Sequence, residues 1–437
     1  MRVRSAIPPA HPVRCPLPTI PPLMPPPVST PATTTPPRHA DIIVVGAGPA
    51  GSACAHHLAA AGINVLLVDQ HTFPRDKVCG DGLIPDAHAA LQRLGVLDEV
   101  MAQAQHVHHV RCIGTRGGYI DVPGRMAVLP RKTLDHILLR NAVRAGARPL
   151  LSARFEAPLL DGERVVGARL KIGGSTHDVL ARWVVLATGA VPQAMLAAGL
   201  CERRTPSGVA LRGYVKNDAM VGRIDKLEIV GHKKLAGGYG WIFPAPGGVF
   251  NIGAGLTGSH EIEAGGRGRM KNVNLREKFE AFCAVHAPAK QLLAGGTLLG
   301  ELKGAPLRCS LSGARWSRPG LLATGEAVGS TYAFTGEGIG KAMETGLLAA
   351  QALLLDRDAS DAAVRERYEA ALRALKPRFA LYEMAAHVNH RPWLTDLVIW
   401  RAQRSAGIRQ RMAGVLEETQ NPGRLLSWRG ISKLMFE

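Results

Sequence analysis

The chain has 437 residues, room for roughly two or three domains, and its 46% hydrophobic content supports a sizeable core. Its 53 Lys and Arg against 35 Asp and Glu leave a formal net charge of +18, spread along the chain with no basic block and no aromatic–basic interleaving, which argues against nucleic acid as a partner. No run approaches the roughly 18 uninterrupted apolar residues of a membrane-crossing helix, and the seven cysteines include no CxxC pair, which leaves a metal site without support and fits a reducing, cytoplasmic setting.

Residues 1–40 hold 13 of the 30 prolines. Proline lacks the backbone donor that helix and sheet need, and the segment has little to bury, so a disordered tail is expected there. Asp41 to Asp69 then reads as strand, glycine turn, helix, strand and acid. Gly46, Gly48 and Gly51 follow an apolar run and, with Pro49 and Ala50, open an Ala-rich helix. Asp69 ends the next apolar run. In that context the glycines suit a dinucleotide. Gly46 permits the tight turn, Gly48 lets backbone approach a pyrophosphate, and Gly51 lets helix and strand pack closely. The helix N-terminus offers free N–H groups to phosphate, and Asp69 can accept from ribose hydroxyls.

Residues 71–83 form a polar loop, and 86–104 and 133–145 have helical spacing. Residues 151–188 read as strands around an Asp161-Gly162 turn and end in the apolar run Trp183 to Leu186. Residues 205–258 alternate apolar and polar with many glycines, the pattern of an antiparallel sheet. A helix is expected at 274–285, a buried strand at 318–325, and a helix after the Gly-rich loop that follows. His106, His108 and His109 lack any further ligand pattern and are expected in a solvated loop. This order predicts an α/β fold. A discontinuous Rossmann-like domain (41–200 and 311–358) holds an inserted antiparallel β-sheet substrate domain (201–310), and a helical C-terminal region (359–437) follows.

The second strong motif is Leu322 to Gly329 followed by Phe334 to Gly346. A buried strand delivers Glu326 next to Gly325, and Gly336, Gly338 and Ile339 open a helix. An acid there can bind ribityl or ribose hydroxyls. The free N–H groups can face a flavin carbonyl and stabilise charge on a reduced ring. A nicotinamide dehydrogenase does not need this second cradle, so the pair of motifs points to FAD. NAD(P)H or a redox protein is left as the electron donor, because no second dinucleotide fingerprint is visible.

On these residues the chain resembles the FAD proteins of the p-hydroxybenzoate hydroxylase group. Within it, Phe73 to Gly82, Tyr239-Gly-Trp-Ile-Phe-Pro244, Asn251-Ile-Gly-Ala-Gly255 and Phe334 to Ile339 resemble the geranylgeranyl reductase family. The likeness implies hydride delivery from reduced FAD to a carbon–carbon double bond of a small apolar, prenyl-type substrate. It also implies that Arg75 and Arg131 contact FAD, that Cys79, Gly80 and Asp81 lie over the flavin, and that Tyr239 and Trp241 line the substrate cavity. The chain departs from the family pattern in having Glu326 for the usual Asp and Ala333 for the usual Pro. An oxygenase of the same fold is the alternative activity. A halogenase has less support, since its Trp-x-Trp-x-x-Ile-Pro segment is missing. An alternative of another class is a prenyl-lipid binder peripheral to the membrane, with its basic C-terminal end on anionic lipid.

Overall fold

The computed structural model describes residues 36–258, 260–262, 268–270, 273–355 and 359–420. The expected tail lies outside these residues except for 36–40, as do the last 17 positions, 421–437, of the expected helical region.

The first strand, His39–Val45, is apolar and buried from Ile42 onward. A strand covered on both faces needs this pattern. It pairs in parallel with Val65–Val68 on one side and Ser175–Leu186 on the other. Arg148–Leu150 and Leu321–Ala323 extend the parallel sheet outward on either side. The hairpin Ala153–Asp161/Arg164–Ile172 runs antiparallel to Ser175–Leu186. With Ser317–Arg318, eight strands form this sheet among the described residues. One face packs on helices Pro49–Ala60, Arg131–Arg144, Ile339–Leu354 and Asp361–Ala386 through Leu58, Leu139, Ala349 and Tyr368. The strand from late in the sequence, Leu321–Ala323, is thus a structural neighbour of the N-terminal unit.

The second sheet has nine strands among the described residues. Gly208–Lys216, Val249–Thr257, Gly238–Ala245 and Leu227–Val230 pair antiparallel in that order. The next step is parallel: Leu227–Val230 pairs with Gln105–Ile113, which pairs antiparallel with Tyr119–Val128. Two long strands of this sheet therefore come from within the 41–200 span expected to be wholly nucleotide-binding. His106, His108 and His109 lie on one of them, not in a loop. A β-bulge between Val107 and His109 breaks the period-two pattern that would have revealed the strand. Helices Pro392–Arg404 and Ala406–Leu416 cover the outer part of this sheet, with Ile399, Ala402 and Ile408 packed on Ile120 and Val122.

Candidate active site

The helix Pro49–Ala60 begins where the first strand ends. Gly48 is its N-cap and brings no side chain. Gly46 has φ +102°, and a Cβ on it would sit 2.3 Å from the Ala187 carbonyl oxygen. A Cβ on Gly51 would sit 1.7 Å from the Gly46 carbonyl oxygen. Both positions therefore require glycine, for turn geometry and close packing. Gly48 differs. The atoms nearest to an added Cβ are the Nη2 atoms of Arg75 and Arg131, at 3.5 and 3.9 Å. Two guanidinium groups thus overhang a helix N-terminus whose capping position is bare, a donor set suited to a pyrophosphate.

Asp135 holds the two cations in place. It is fully buried, receives Arg131 Nε at 2.7 Å and Nη2 at 2.9 Å, and lies 3.1 Å from Arg75 Nη1. Burial opposes the charge on Arg131, and the Asp135 carboxylate outweighs it, so the guanidinium stays ionised. Arg75 Nε is buried without a hydrogen-bond partner, 3.9 Å from Asp69. Each Asp69 oxygen accepts one backbone N–H, from Ala47 at 2.8 Å and His71 at 2.9 Å, and keeps a second lone pair.

The second motif closes on the first. Gly325 has φ +67°, and an added Cβ would lie 2.6 Å from the Ala50 Cβ. One on Gly346 would lie 2.2 Å from the Ala50 carbonyl oxygen, so the two glycine-led helices meet with nothing between them. Glu326 follows Gly325, lies 3.4 Å from Lys77 Nζ and accepts from Thr331 Oγ1 at 3.4 Å. Helix Ile339–Leu354 starts after Gly338, and Ile339 is buried.

An aromatic strip lies against both loops. Tyr239, Trp241 and Phe243 share one face of the strand Gly238–Ala245, with ring centroids 6.2 and 6.4 Å apart. The register explains the paired motifs: Tyr239 lies opposite Gly255, Trp241 opposite Gly253 and Phe243 opposite Asn251. A Cβ on Gly253 would meet the Trp241 ring at 2.2 Å, so that glycine gives the indole its space. At one end Tyr239 donates to the Thr335 carbonyl at 2.7 Å. At the other, a Cβ on Gly80 would lie 3.2 Å from the Phe243 ring and 3.7 Å from Trp241 Nε1. Cys79 is half-buried there, and Asp81 is fully buried with φ +65°.

The glycines, Asp69, Arg75, Arg131, Glu326, Tyr239 and Trp241 were the candidates visible in the sequence. The structure brings Arg75 and Arg131 over Gly48, and the loop Cys79–Asp81 against Trp241. It adds side chains to which sequence reasoning assigned no role: Asp135, Lys77 and Asn251, with Tyr214, whose hydroxyl donates to Asp81, and Arg212, which donates to Asp76. Asp135 had one local signal, its i+4 spacing from Arg131. The others meet the site only through long-range pairing.

Comparison with known proteins agrees with this geometry. Residues 39–220 match the family model described as FAD binding domain. The menaquinone reductase of Mycolicibacterium smegmatis is 33% identical over 341 residues, covering 71% of this chain and 76% of the relative. Digeranylgeranylglycerophospholipid reductase 2 of Methanopyrus kandleri is 30% identical, covering 75% of this chain and 81% of the relative. Among solved structures, a geranylgeranyl bacteriochlorophyll reductase-like protein of Thermoplasma acidophilum superposes with a TM-score of 0.71 at 21% identity, over 92% of this chain and 96% of its own. A flavin-dependent brominase has the same fold at a TM-score of 0.69 and 19% identity, covering 91% of this chain and 98% of its own. The bare N-cap, the two guanidiniums above it and the orphaned Arg75 Nε fit FAD, and the chain belongs to the geranylgeranyl reductase family of FAD-dependent oxidoreductases.

Proposed function

We propose that this oxidoreductase reduces carbon–carbon double bonds in the isoprenoid chain of a long apolar lipid, of the kind named in its menaquinone and digeranylgeranylglycerophospholipid reductase relatives. The observation that carries the reading is the strip Tyr239–Trp241–Phe243, which touches the Cys79–Asp81 loop at one end and the Thr335–Gly336 loop at the other. A row of aromatic rings, tilted 64° and 41° to one another and spanning both loops, suits an extended hydrocarbon and excludes water from it.

In this reading the N–H groups after Gly48, with Arg75 and Arg131, hold the pyrophosphate. Asp69 holds the adenosine ribose and Glu326 the ribityl chain. The N–H groups near Gly336, Gly338 and Ile339 face the flavin ring, and Cys79, Gly80 and Asp81 cover it. When bound, reduced FAD would supply the hydride, and a proton from water would complete the two-hydrogen addition. Tyr239 and Trp241 orient the lipid. NAD(P)H, bound transiently, is the proposed donor. The test is mass spectrometry of a prenylated quinone or glycerolipid after incubation with the reduced enzyme, with and without oxygen. A product two hydrogens heavier is expected. A product one oxygen heavier would replace this reading with an oxygenase.

We also infer contact with a membrane surface, from which such a substrate must be drawn. Trp393 and Trp400 are 61% and 46% exposed and lie seven residues apart on one face of helix Pro392–Arg404. The Arg401 and Arg404 guanidiniums lie over the Trp400 ring, 5.5 and 4.6 Å from its centroid. Tryptophan beside arginine suits the interface of an anionic bilayer. No helix among the described residues is long and apolar enough to cross one.

A further inference from the structure

Between Arg75 and Leu83 the chain passes from the FAD-type sheet to the second sheet, and the second sheet holds it with side chains. Asp76 pairs with Arg212 at 2.6 Å and Lys303 at 2.9 Å. Arg212 also donates to the Lys77 carbonyl at 3.1 Å. The remaining anchors converge on Asn251, which is fully buried. Its Nδ2 donates to the Cys79 carbonyl and to Asp81 Oδ2, both at 2.8 Å. Its Oδ1 accepts from Trp241 Nε1 at 2.9 Å. One amide therefore uses both donor hydrogens and its acceptor to join three groups of the site.

We propose that Asn251 is a positioning residue, whose amide locks the Cys79–Asp81 loop to the Trp241 wall and so sets the distance between cofactor and substrate. The proposal rests on the reading above in placing that loop over the flavin. An amide is the group that fits. Asp81 accepts only, Trp241 donates only, and the Cys79 carbonyl accepts only, so the residue between them must offer two donors and one acceptor in a plane. Asp81 is faced by the Tyr214 hydroxyl and the Arg212 guanidinium from strand Gly208–Lys216, by the Arg131 N–H and guanidinium from helix Arg131–Arg144, and by Asn251 from strand Val249–Thr257. Burial raises its pKa to about 6, and these donors work against that rise. Asp81 has φ +65°, in the left-handed region that Asp enters more readily than most residues other than glycine.

The test uses FAD-loaded protein and reads the rate at which N-ethylmaleimide modifies Cys79, mapped by mass spectrometry, beside kcat and KM for the lipid. Asn251→Ala removes the anchor at Cys79 at every pH, and Cys79 should react roughly tenfold faster than in the parent. Asn251→Asp puts a second carboxyl against Asp81, and two carboxyls so close share one proton. Its Cys79 rate, taken as a ratio to the parent, should already exceed one at about pH 5.5, because a protonated carboxyl offers one donor where the amide offers two, and should rise to roughly tenfold by about pH 8, with kcat falling more than KM rises. The swap Asp81→Asn with Asn251→Asp restores one amide facing one carboxylate, and the pH dependence should vanish. A flat Asn251→Asp ratio, a pH dependence that survives the swap, or parent-like labelling of Asn251→Ala would each overturn the proposal. Labelling is independent of turnover, so the clasp is decided even if no prenyl lipid is reduced.

Discussion

Asp135→Asn is the most informative single change at the cofactor cradle. The parent carboxylate holds two guanidiniums through contacts of 2.7, 2.9 and 3.1 Å, in a place where Asp135 is 0% and Arg131 6% exposed. An asparagine keeps the shape and can still accept from Arg131 Nε. Its NH2 group then faces the N–H donors of Arg131 Nη2 and Arg75 Nη1, and the compensating charge is gone. Removing one partner of a buried ion pair costs about 3–5 kcal/mol, because the other charge stays buried. That is roughly two to four powers of ten in the folding equilibrium. Denaturant titration of the FAD-loaded protein, followed by tryptophan fluorescence, should show the midpoint falling with the slope unchanged. Flavin absorbance after gel filtration should fall in parallel, since Arg75 and Arg131 no longer overhang Gly48. A loss of less than about 1 kcal/mol with full flavin retention would show that Asp135 does not organise the pair.

Gly48→Trp should fold and lose flavin, because its side chain fills the space beneath the Arg75 and Arg131 guanidiniums; a protein that stays yellow would exclude the assigned pyrophosphate site. Tyr239→Phe removes one hydrogen bond to the Thr335 carbonyl and should cost about 0.5–1.5 kcal/mol by thermal melting, with flavin retained. For pH dependence, the folded pKa of Asp81, about 6, stands above its ordinary 3.8, so the folded state holds that proton more tightly. Its contribution to stability is full below about pH 3.8 and is lost as pH rises through about 6, a span of roughly 2–3 kcal/mol that stability curves of Asp81→Asn should lack. Trp393→Ala with Trp400→Ala should abolish sedimentation with phosphatidylglycerol vesicles at low salt while leaving flavin content unchanged; equal binding would remove the membrane contact.

Much of the site was legible because its glycines answer local needs. Gly46 and Gly51 are dictated by a turn and a helix within a few residues of each other, and Asp69 by the strand that follows. The Tyr-x-Trp-x-Phe and Asn-x-Gly-x-Gly motifs were visible as motifs, but their pairing was not. Only the antiparallel register puts Trp241 over Gly253 and Phe243 beside Asn251. Asp135 and Lys77 escaped for a different reason. A single charged residue on a helix or loop carries no periodic signal, and its meaning comes from a partner far along the chain. The strands Gln105–Ile113 and Tyr119–Val128 were hidden twice over, by a bulge and by a parallel partner at Leu227–Val230.

The contact of Ala50 with Gly325 and Gly346 also bears on how the protein is made. The Gly46–Gly51 turn emerges early from the ribosome, and the segment that packs on it emerges late. Between them the chain must complete the second sheet, which borrows strands from both sides of Ala153–Leu186. The nascent N-terminal portion thus carries a glycine turn and an exposed sheet edge that nothing yet covers, the species most open to misassembly. A fragment ending before Leu321 lacks Gly325 and Gly346, which pack on Ala50. Expression as separate pieces should give colourless, aggregating protein, and co-expression of the missing piece is the direct way to recover colour.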